Sequence, residues 1–272
     1  MKRKLPLVAL LSDFGTIDAY AAAMKAVLLS AAPRVPVIDI THGIPPGNIL
    51  SASYVLFSVW DHLPPGAVVT CVVDPGVGSR RKALIGTLEG KYVIAPDNGT
   101  ISLLVRMKPK FPLWELDTGF LRETPSATFH GRDIFAPAAA LAVRGKAKKI
   151  RGVPLQPVLL TRVLSKISQG SVAEGYLQHI DRFGNAVTTV HENDISWERE
   201  FCDIEFTARS HAVAEPFTVR LHGVKRTFSE ASEQEPLAYI GSSGFLEIGI
   251  RNGSARGKYQ LRQGTYVTVR KT

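Results

Sequence analysis

The chain has 272 residues, of which 45% are hydrophobic and 21% charged. That balance excludes a disordered or fibrous chain and supplies enough apolar side chains for two cores. A formal charge of +9 and a sequence pI of about 9.6 favour anionic partners in general, and two cysteines are too few for a disulfide framework. A reduced, cytoplasmic protein is expected. Lys2-Arg3-Lys4 and the apolar residues 5–11 imitate an export signal, but Asp13, Gly15 and Asp18 interrupt the apolar segment that export needs. No apolar run approaches the length of a membrane span, so no membrane partner is expected.

The first half alternates strands and helices. Residues 7–11 read as a buried strand ending at Ser12-Asp13-Phe14-Gly15. Residues 19–31 read as a helix with Asp18 as its N-cap. Residues 35–40 form the second strand, and Gly43-Ile44-Pro45-Pro46-Gly47 a turn. Residues 49–62 form a helix that stops before Pro64-Pro65-Gly66. The third strand, residues 67–73, is an unbroken apolar run ending in Asp74-Pro75-Gly76-Val77-Gly78-Ser79-Arg80-Arg81. Residues 83–88 and 92–95 read as a hairpin across Glu89-Gly90. Pro96-Asp97-Asn98-Gly99-Thr100 leads into a short helix reaching Val105, and residues 133–144 form an Ala-rich helix. Strands alternating with helices predict an α/β/α, Rossmann-like domain with a mostly parallel sheet.

The pattern changes after Gly152. Residues 154–170 carry prolines and little periodicity. From Gly175 onward the runs are short and strand-like: residues 176–180, 186–190, 217–221, 237–240, 245–250 and 266–270. The expected organisation is an α/β domain over residues 1–160, a linker over 161–174 and a smaller all-β barrel or sandwich over 175–272.

Several segments carry chemistry. Asp13 and Asp74 both follow parallel strands, which puts two carboxylates at the ligand-binding edge of an open sheet. Each also suits a cap or Asx-turn. Phe129-His130-Gly131-Arg132-Asp133 packs three ionisable side chains around one glycine at a helix start, where a neutral imidazole is favoured. The alternative is that Asp133 caps the helix while His130 and Arg132 pair with carboxylates. Gly76-Val77-Gly78 matches neither the Walker A nor the G-x-G-x-x-G spacing. Asp39-Ile40-Thr41-His42 offers two metal-ligand types without a third at a telling spacing, so no metal is expected. Neither cysteine sits in a cationic setting that would activate it. The basic cluster Arg144, Lys146, Lys148, Lys149 and Arg151 lacks interleaved aromatics and reads as a solvated face, not a nucleic-acid site. In the second half, the turns at Asp181-Arg182-Phe183-Gly184-Asn185, Gly241-Ser242-Ser243-Gly244 and Arg251-Asn252-Gly253-Ser254 present polar groups and small residues to a ligand.

In order, Ser12-Asp13-Phe14-Gly15, Asp39-Ile40-Thr41-His42, Val73-Asp74-Pro75-Gly76-Val77-Gly78 with Arg81, Pro96-Asp97-Asn98-Gly99, Phe129-His130-Gly131-Arg132-Asp133, Asp181-Arg182-Phe183-Gly184-Asn185 and Ser242-Ser243-Gly244 resemble the S-adenosylmethionine hydroxide adenosyltransferase family. That family is related to the S-adenosylmethionine-dependent fluorinases and chlorinases. The resemblance implies a homotrimer with the ligand between the first domain of one subunit and the second domain of its neighbour. It implies Asp74, Arg81 and His130 as the catalytic set, with Arg80 the alternative to Arg81. Asp13 should hold the ribose hydroxyls, and Asp181 with Ser243 the methionine amine. Phe183, Asn185, Arg251 and Gly253 should frame the adenine and the methionine carboxylate, with Phe129 and Ser242 completing the binding set. The halogenases differ where this chain has His130, the fluorinases carry a hydroxyl where it has Gly131, and their additional loop has no counterpart here.

The implied reaction is attack of water on the ribose C5′ of S-adenosylmethionine, giving adenosine and methionine with no cofactor. Arginine stays protonated and cannot be the base, which leaves Asp74 and His130 as open alternatives. The two glycines of the Asp74 loop are expected to let Arg81 fold back on Asp74. Competing functions are a halide-using enzyme, a non-catalytic nucleoside sensor and a basic nucleic-acid binder.

Overall fold

The structure is a computed structural model that describes residues 6–168, 171–195, 202–210 and 213–272. The basic Lys2-Arg3-Lys4 and residues 169–170 of the expected linker lie outside them. The chain forms two compact units, Met1–Leu160 and Thr161–Thr272.

In the first unit, strands β1 (Val8–Ser12), β2 (Val37–Thr41), β3 (Val68–Val72), β4 (Ala83–Leu88), β5 (Lys91–Pro96), β6 (Leu113–Leu116) and β7 (Arg151–Pro154) form one sheet. Its order is β2-β1-β3-β5-β4-β6-β7. The β2-β1-β3-β5 half is parallel, and β4, β6 and β7 extend it antiparallel. Helices α1 (Tyr20–Ala31) and α4 (Ala136–Leu141) cover one face; α2 (Ile49–Trp60) and α3 (Ser102–Met107) cover the other. Alternation along β1 shows why. Val8 and Leu10 point into the α1/α4 core and Ala9 and Leu11 into the α2/α3 core, as the period of two requires. With both faces covered, β1 and β3 read as continuous apolar runs. The β4–β5 turn has Glu89 and Gly90 both at positive φ, 53° and 73°, the signature of a two-residue type I′ hairpin.

Two boundaries differ from the sequence reading. Asp18 does not cap α1: the cap position is Ala19, already helical in φ and ψ, and no side chain caps the helix. The expected helix over residues 133–144 opens earlier, at Gly131, with one wide turn over Gly131–Phe135 in which the amide of Ala136 donates to the carbonyl of Gly131. Pro137, which has no N–H to extend a regular ladder, follows directly.

The second unit is a nine-stranded sheet in the order β12-β11-β16-β9-β10-β15-β14-β13, with β8 (Lys166–Ser168) paired to β9. The other strands are β9 (Val172–Ile180), β10 (Ala186–His191), β11 (Cys202–Ser210), β12 (Val213–His222), β13 (Val224–Lys225), β14 (Pro236–Ile240), β15 (Phe245–Ile250) and β16 (Tyr266–Lys271). Strand β9 joins the two halves: Val172 to Tyr176 pair with β16, and Leu177 to Ile180 with β10. Residues 161–174 therefore contribute strand β8 and the start of β9. Strand β11 was missed in the sequence reading although Cys202, Ile204, Phe206 and Ala208 alternate with polar residues and are all buried. A one-turn helix, α5 (Ala255–Tyr259), capped by Ser254, was missed as well.

Candidate active site

In the first unit the chain goes from β1 to β2 on one side and then crosses to β3 on the other. The parallel order β2-β1-β3 therefore reverses direction between β1 and β3, and open α/β sheets bind ligands at such a switch point, beyond the strand carboxyl ends. Ser12 is in register with Val72, so Asp13 and Asp74 leave the sheet side by side.

The loop after β3 folds back on itself. The amide of Val77 donates to the carbonyl of Asp74 (3.2 Å), and that of Ser79 to the carbonyl of Gly76 (3.1 Å). Just before Asp74, the carbonyl of Val73 accepts from Asn98 Nδ2 at 2.8 Å, so the Pro96-Asp97-Asn98 segment pins the start of the loop. Of the two glycines only Gly78 is required. Its φ is +76° and a Cβ there would lie 2.5 Å from the carbonyl oxygen of Ala127. Gly76 has ordinary φ, and a Cβ would meet Ser79 and Arg81 at van der Waals distance.

The result is a nearly buried ion pair. Arg81 Nε donates to Asp74 Oδ1 and Oδ2 at 3.0 and 2.9 Å, and Nη2 donates to Oδ2 as well. The side chains are 10% and 5% exposed. The guanidinium also lies over the Phe135 ring, 5.4 Å from its centroid. Arg80 is exposed, and Arg81 is the arginine that pairs with Asp74. Arg81 Nη2 lies 2.7 Å from Nδ1 of His130. Arginine only donates, so Nδ1 accepts and the imidazole is neutral with its proton on Nε2. Burial, reinforced by the Arg81 charge, lowers the His130 pKa below its ordinary 6.5.

Asp133 does not open the helix. Its carboxylate pairs with Arg132 and accepts from the amide of Ser126 at 2.9 Å. His130 pairs with Arg81 and not with a carboxylate. Phe129 packs edge-on against Phe14 and Tyr20, and Arg132 covers it. Asp13 Oδ2 accepts from the amide of Gly47 at 2.8 Å. In the Asp39-Ile40-Thr41-His42 segment, His42 has both ring nitrogens engaged by side chains: Ser12 Oγ at 2.6 Å and Asp39 Oδ1 at 3.1 Å.

In the second unit, Asp181 and Asn185 close the β9–β10 turn. Asp181 Oδ1 accepts from the Asn185 amide at 2.8 Å and Oδ2 from Asn185 Nδ2 at 2.9 Å. Between them Phe183 is 76% exposed. Gly184 has φ +87° and presses on Ser254, where a Cβ would come within 2.0 Å of its hydroxyl. That contact brings the Asp181–Asn185 turn against the turn holding Gly253. Arg251 Nη1 donates to the carbonyl of Ala231 at 2.7 Å. Ser242 and Ser243 belong to the turn between β14 and β15, at the opposite end of β15 from Arg251 and Gly253. Glu247 occupies the interval. It is buried, accepts from the Tyr239 hydroxyl at 2.6 Å and packs under Gly241. Burial, and secondarily Asp181, raise its pKa. The sequence reading passed over Glu247; the signal was a lone carboxylate inside the apolar run of β15.

The family model of the SAM hydroxide adenosyltransferase N-terminal domain matches residues 8–151, and that of the C-terminal domain residues 175–268. The chain is 38% identical to an (R)-S-adenosyl-L-methionine hydrolase of Thermus thermophilus, covering 96% of this chain and 98% of that one. A protein of the same name from Methanocaldococcus jannaschii is 31% identical, over 90% and 88% of the two chains. A fluorinase of Actinopolyspora mzabensis is 25% identical, over 97% of each. Among solved structures, an uncharacterized conserved protein from Thermotoga maritima superposes with a TM-score of 0.82 at 28% identity, covering 97% of this chain and all of that one. A conserved hypothetical protein from Thermus thermophilus gives 0.74 at 36% identity, over 98% and 100%. The chain belongs to the SAM hydroxide adenosyltransferase family.

Proposed function

We propose that this protein hydrolyses S-adenosyl-L-methionine to adenosine and L-methionine. Water attacks the ribose C5′, the C5′–S bond breaks with its electron pair going to sulfur, and one proton leaves the water. The sulfonium becomes a neutral thioether, so the leaving side needs no acid and the chemistry falls on the nucleophile. The observation that carries the reading is the Asp74–Arg81–His130 chain at the β1/β3 switch point.

In that chain His130 Nδ1 is occupied, and Nε2–H is the group left to donate to the oxygen of the attacking water. Arg81 lends positive charge that favours a hydroxide-like oxygen. For His130 to act as base at Nδ1 it must first release Arg81. Asp74 retains an unused lone pair on Oδ1 and is the proton acceptor in this reading. Asp13 holds the ribose diol through its other carboxylate oxygen, Oδ1. Asp181, Phe183, Asn185, Ser242, Ser243, Arg251 and Gly253 serve the adenine and methionine ends, and Phe129 completes the binding set. As the family resemblance implies, the reading includes a homotrimer with the site shared between subunits. The protein acts in the cytoplasm in this reading, in keeping with a count of two cysteines, both buried.

Incubation of the pure protein with S-adenosyl-L-methionine, with and without chloride, tests the reaction. Adenosine in both arms is expected, with ¹⁸O from labelled water at O5′. A 5′-halogenated nucleoside would indicate a halide-using enzyme, and unconsumed ligand a sensor. Mixing Asp74→Asn and Asp181→Ala chains, at a substrate concentration below the raised KM of the second, tests the shared site, because mixed assemblies contain sites free of both substitutions and should turn over faster than either variant alone.

A further inference from the structure

A chain of four polar side chains runs beneath the Asp13 turn without entering the reaction above. Lys25 Nζ binds Asp39 Oδ2 at 2.6 Å near the surface. Asp39 Oδ1 meets His42 Nε2 at 3.1 Å, and His42 Nδ1 meets Ser12 Oγ at 2.6 Å. The His42 side chain is 3% exposed and Ser12 is buried. Ser12 Oγ also accepts from the amide of Phe14 at 3.3 Å. One assignment satisfies all of these atoms: the Ser12 hydroxyl donates to His42 Nδ1, and His42 Nε2–H donates to Asp39.

Backbone contacts of His42 and Ser12 flank Asp13. The carbonyl of His42 accepts from the amide of Gly15 at 2.7 Å, and the carbonyl of Ser12 accepts from that of Ile44 at 3.4 Å. The side chain of His42 thus holds the residue before Asp13, and its carbonyl holds the residue two beyond. The loop that leaves His42 ends at Gly47, whose amide fixes Asp13 Oδ2 and leaves Oδ1 for a ligand hydroxyl. The buried Ser12–His42 part of this chain costs desolvation that an apolar packing would avoid, so its return is geometric definition.

We propose that His42 is a positioning residue for the ribose-binding carboxylate, setting Asp13 through Ser12 and the His42–Gly47 loop. This rests on the reading of Asp13 as the ribose contact. Asparagine places an amide atom where Nδ1 stands, and glutamine one where Nε2 stands. His42→Asn can keep the Ser12 link, and His42→Gln can keep only the Asp39 link.

The test compares binding of adenosine and 2′-deoxyadenosine, together with kcat and KM for S-adenosyl-L-methionine and Tm, in the wild type, His42→Asn, His42→Gln, Ser12→Ala and Asp13→Ala. His42→Gln and Ser12→Ala are expected to lose about tenfold of the preference for the ribonucleoside, the size of one well-placed hydrogen bond. Their KM should rise more than their kcat falls, while His42→Asn keeps most of the preference. If Asp13→Ala abolishes the preference and the other variants retain it, whatever their Tm, the proposal is overturned and the ribose reading stands. A wild-type chain without any preference removes Asp13 from the ribose and overturns both.

Discussion

Arg81 Nη2 stands 2.7 Å from Nδ1 of His130, a residue 49 positions further along the chain. The same guanidinium holds Asp74 through both carboxylate oxygens. One arginine therefore fixes the orientation of a carboxylate, the tautomer of an imidazole and the relative position of two loops. Each of these has a measurable consequence.

Removing one member of the buried pair leaves the other charge unpaired. Arg81→Ala and Asp74→Ala should each cost about 3 kcal/mol of stability. The double variant should recover part of that loss, since no lone charge remains. Turnover should fall by about 10²–10³-fold in either single variant, as for loss of one preorganised electrostatic contact, and should not return in the double. Urea denaturation and adenosine release measured on the same preparations separate the two effects.

His130 provides a pH signature. Its folded pKa lies below 6.5 because burial, then the Arg81 charge, disfavours the imidazolium. The associated stability is fully present above the unfolded value of 6.5 and is lost as the pH falls through the lowered folded value. Protonation also closes Nδ1 to Arg81, so turnover should decline over the same acidic interval. In His130→Ala the rate should drop by about 10²–10³-fold, as for loss of one preorganised donor, and the acidic limb should disappear from the pH–rate profile. An unchanged limb would assign it to another group.

Gly78→Ala probes the loop without touching an ionisable residue. The positive φ and the Ala127 carbonyl 2.5 Å from the added Cβ should cost about 1–3 kcal/mol. Because the loop carries Arg81, turnover should fall well beyond what the loss of folded protein explains. Gly76→Ala, with ordinary φ and room for a Cβ, should be close to wild type in Tm. Calorimetry alongside kcat for both variants checks the contrast.

Asp181 should act on the amino-acid end of the substrate. Asp181→Ala is expected to raise KM for S-adenosyl-L-methionine while leaving adenosine affinity within about threefold, the ordinary spread of a surface change. Isothermal titration with adenosine, set against steady-state kinetics, decides it. Parallel losses for both ligands would mean that the Asp181–Asn185 turn supports the adenine side instead.

Much of the architecture could be read directly from the chain. Apolar runs ending in Asp13 and Asp74, interleaved with helices, are enough for parallel strands whose carboxylates share one sheet edge. Glu89-Gly90 is enough for a tight hairpin. These features are local, set by period and turn chemistry over a few residues. Errors arose where a neighbour overrode local preference. Asp18 has the chemistry of a cap, but the chain is already helical at Ala19. Asp133 sits where a cap would be useful, yet its carboxylate is taken by Arg132 and the Ser126 amide. In Cys202–Ser210 the alternation of apolar and polar residues is itself the local signature of a half-buried strand.

The amino-acid sequence by itself determined the strand–helix order from β1 to α3, the two-part organisation and the identity of the residue types after β1 and β3. Only the tertiary structure decided which of Arg80 and Arg81 grips Asp74, which nitrogen of His130 carries the proton, that Gly78 and not Gly76 is indispensable, and that His42 belongs to the support of Asp13. The physical reason is range. Periodicity and turn propensity act between near neighbours, whereas an ion pair, a tautomer or a Cβ clash depends on atoms a few ångströms apart that the sequence separates by as many as 49 residues.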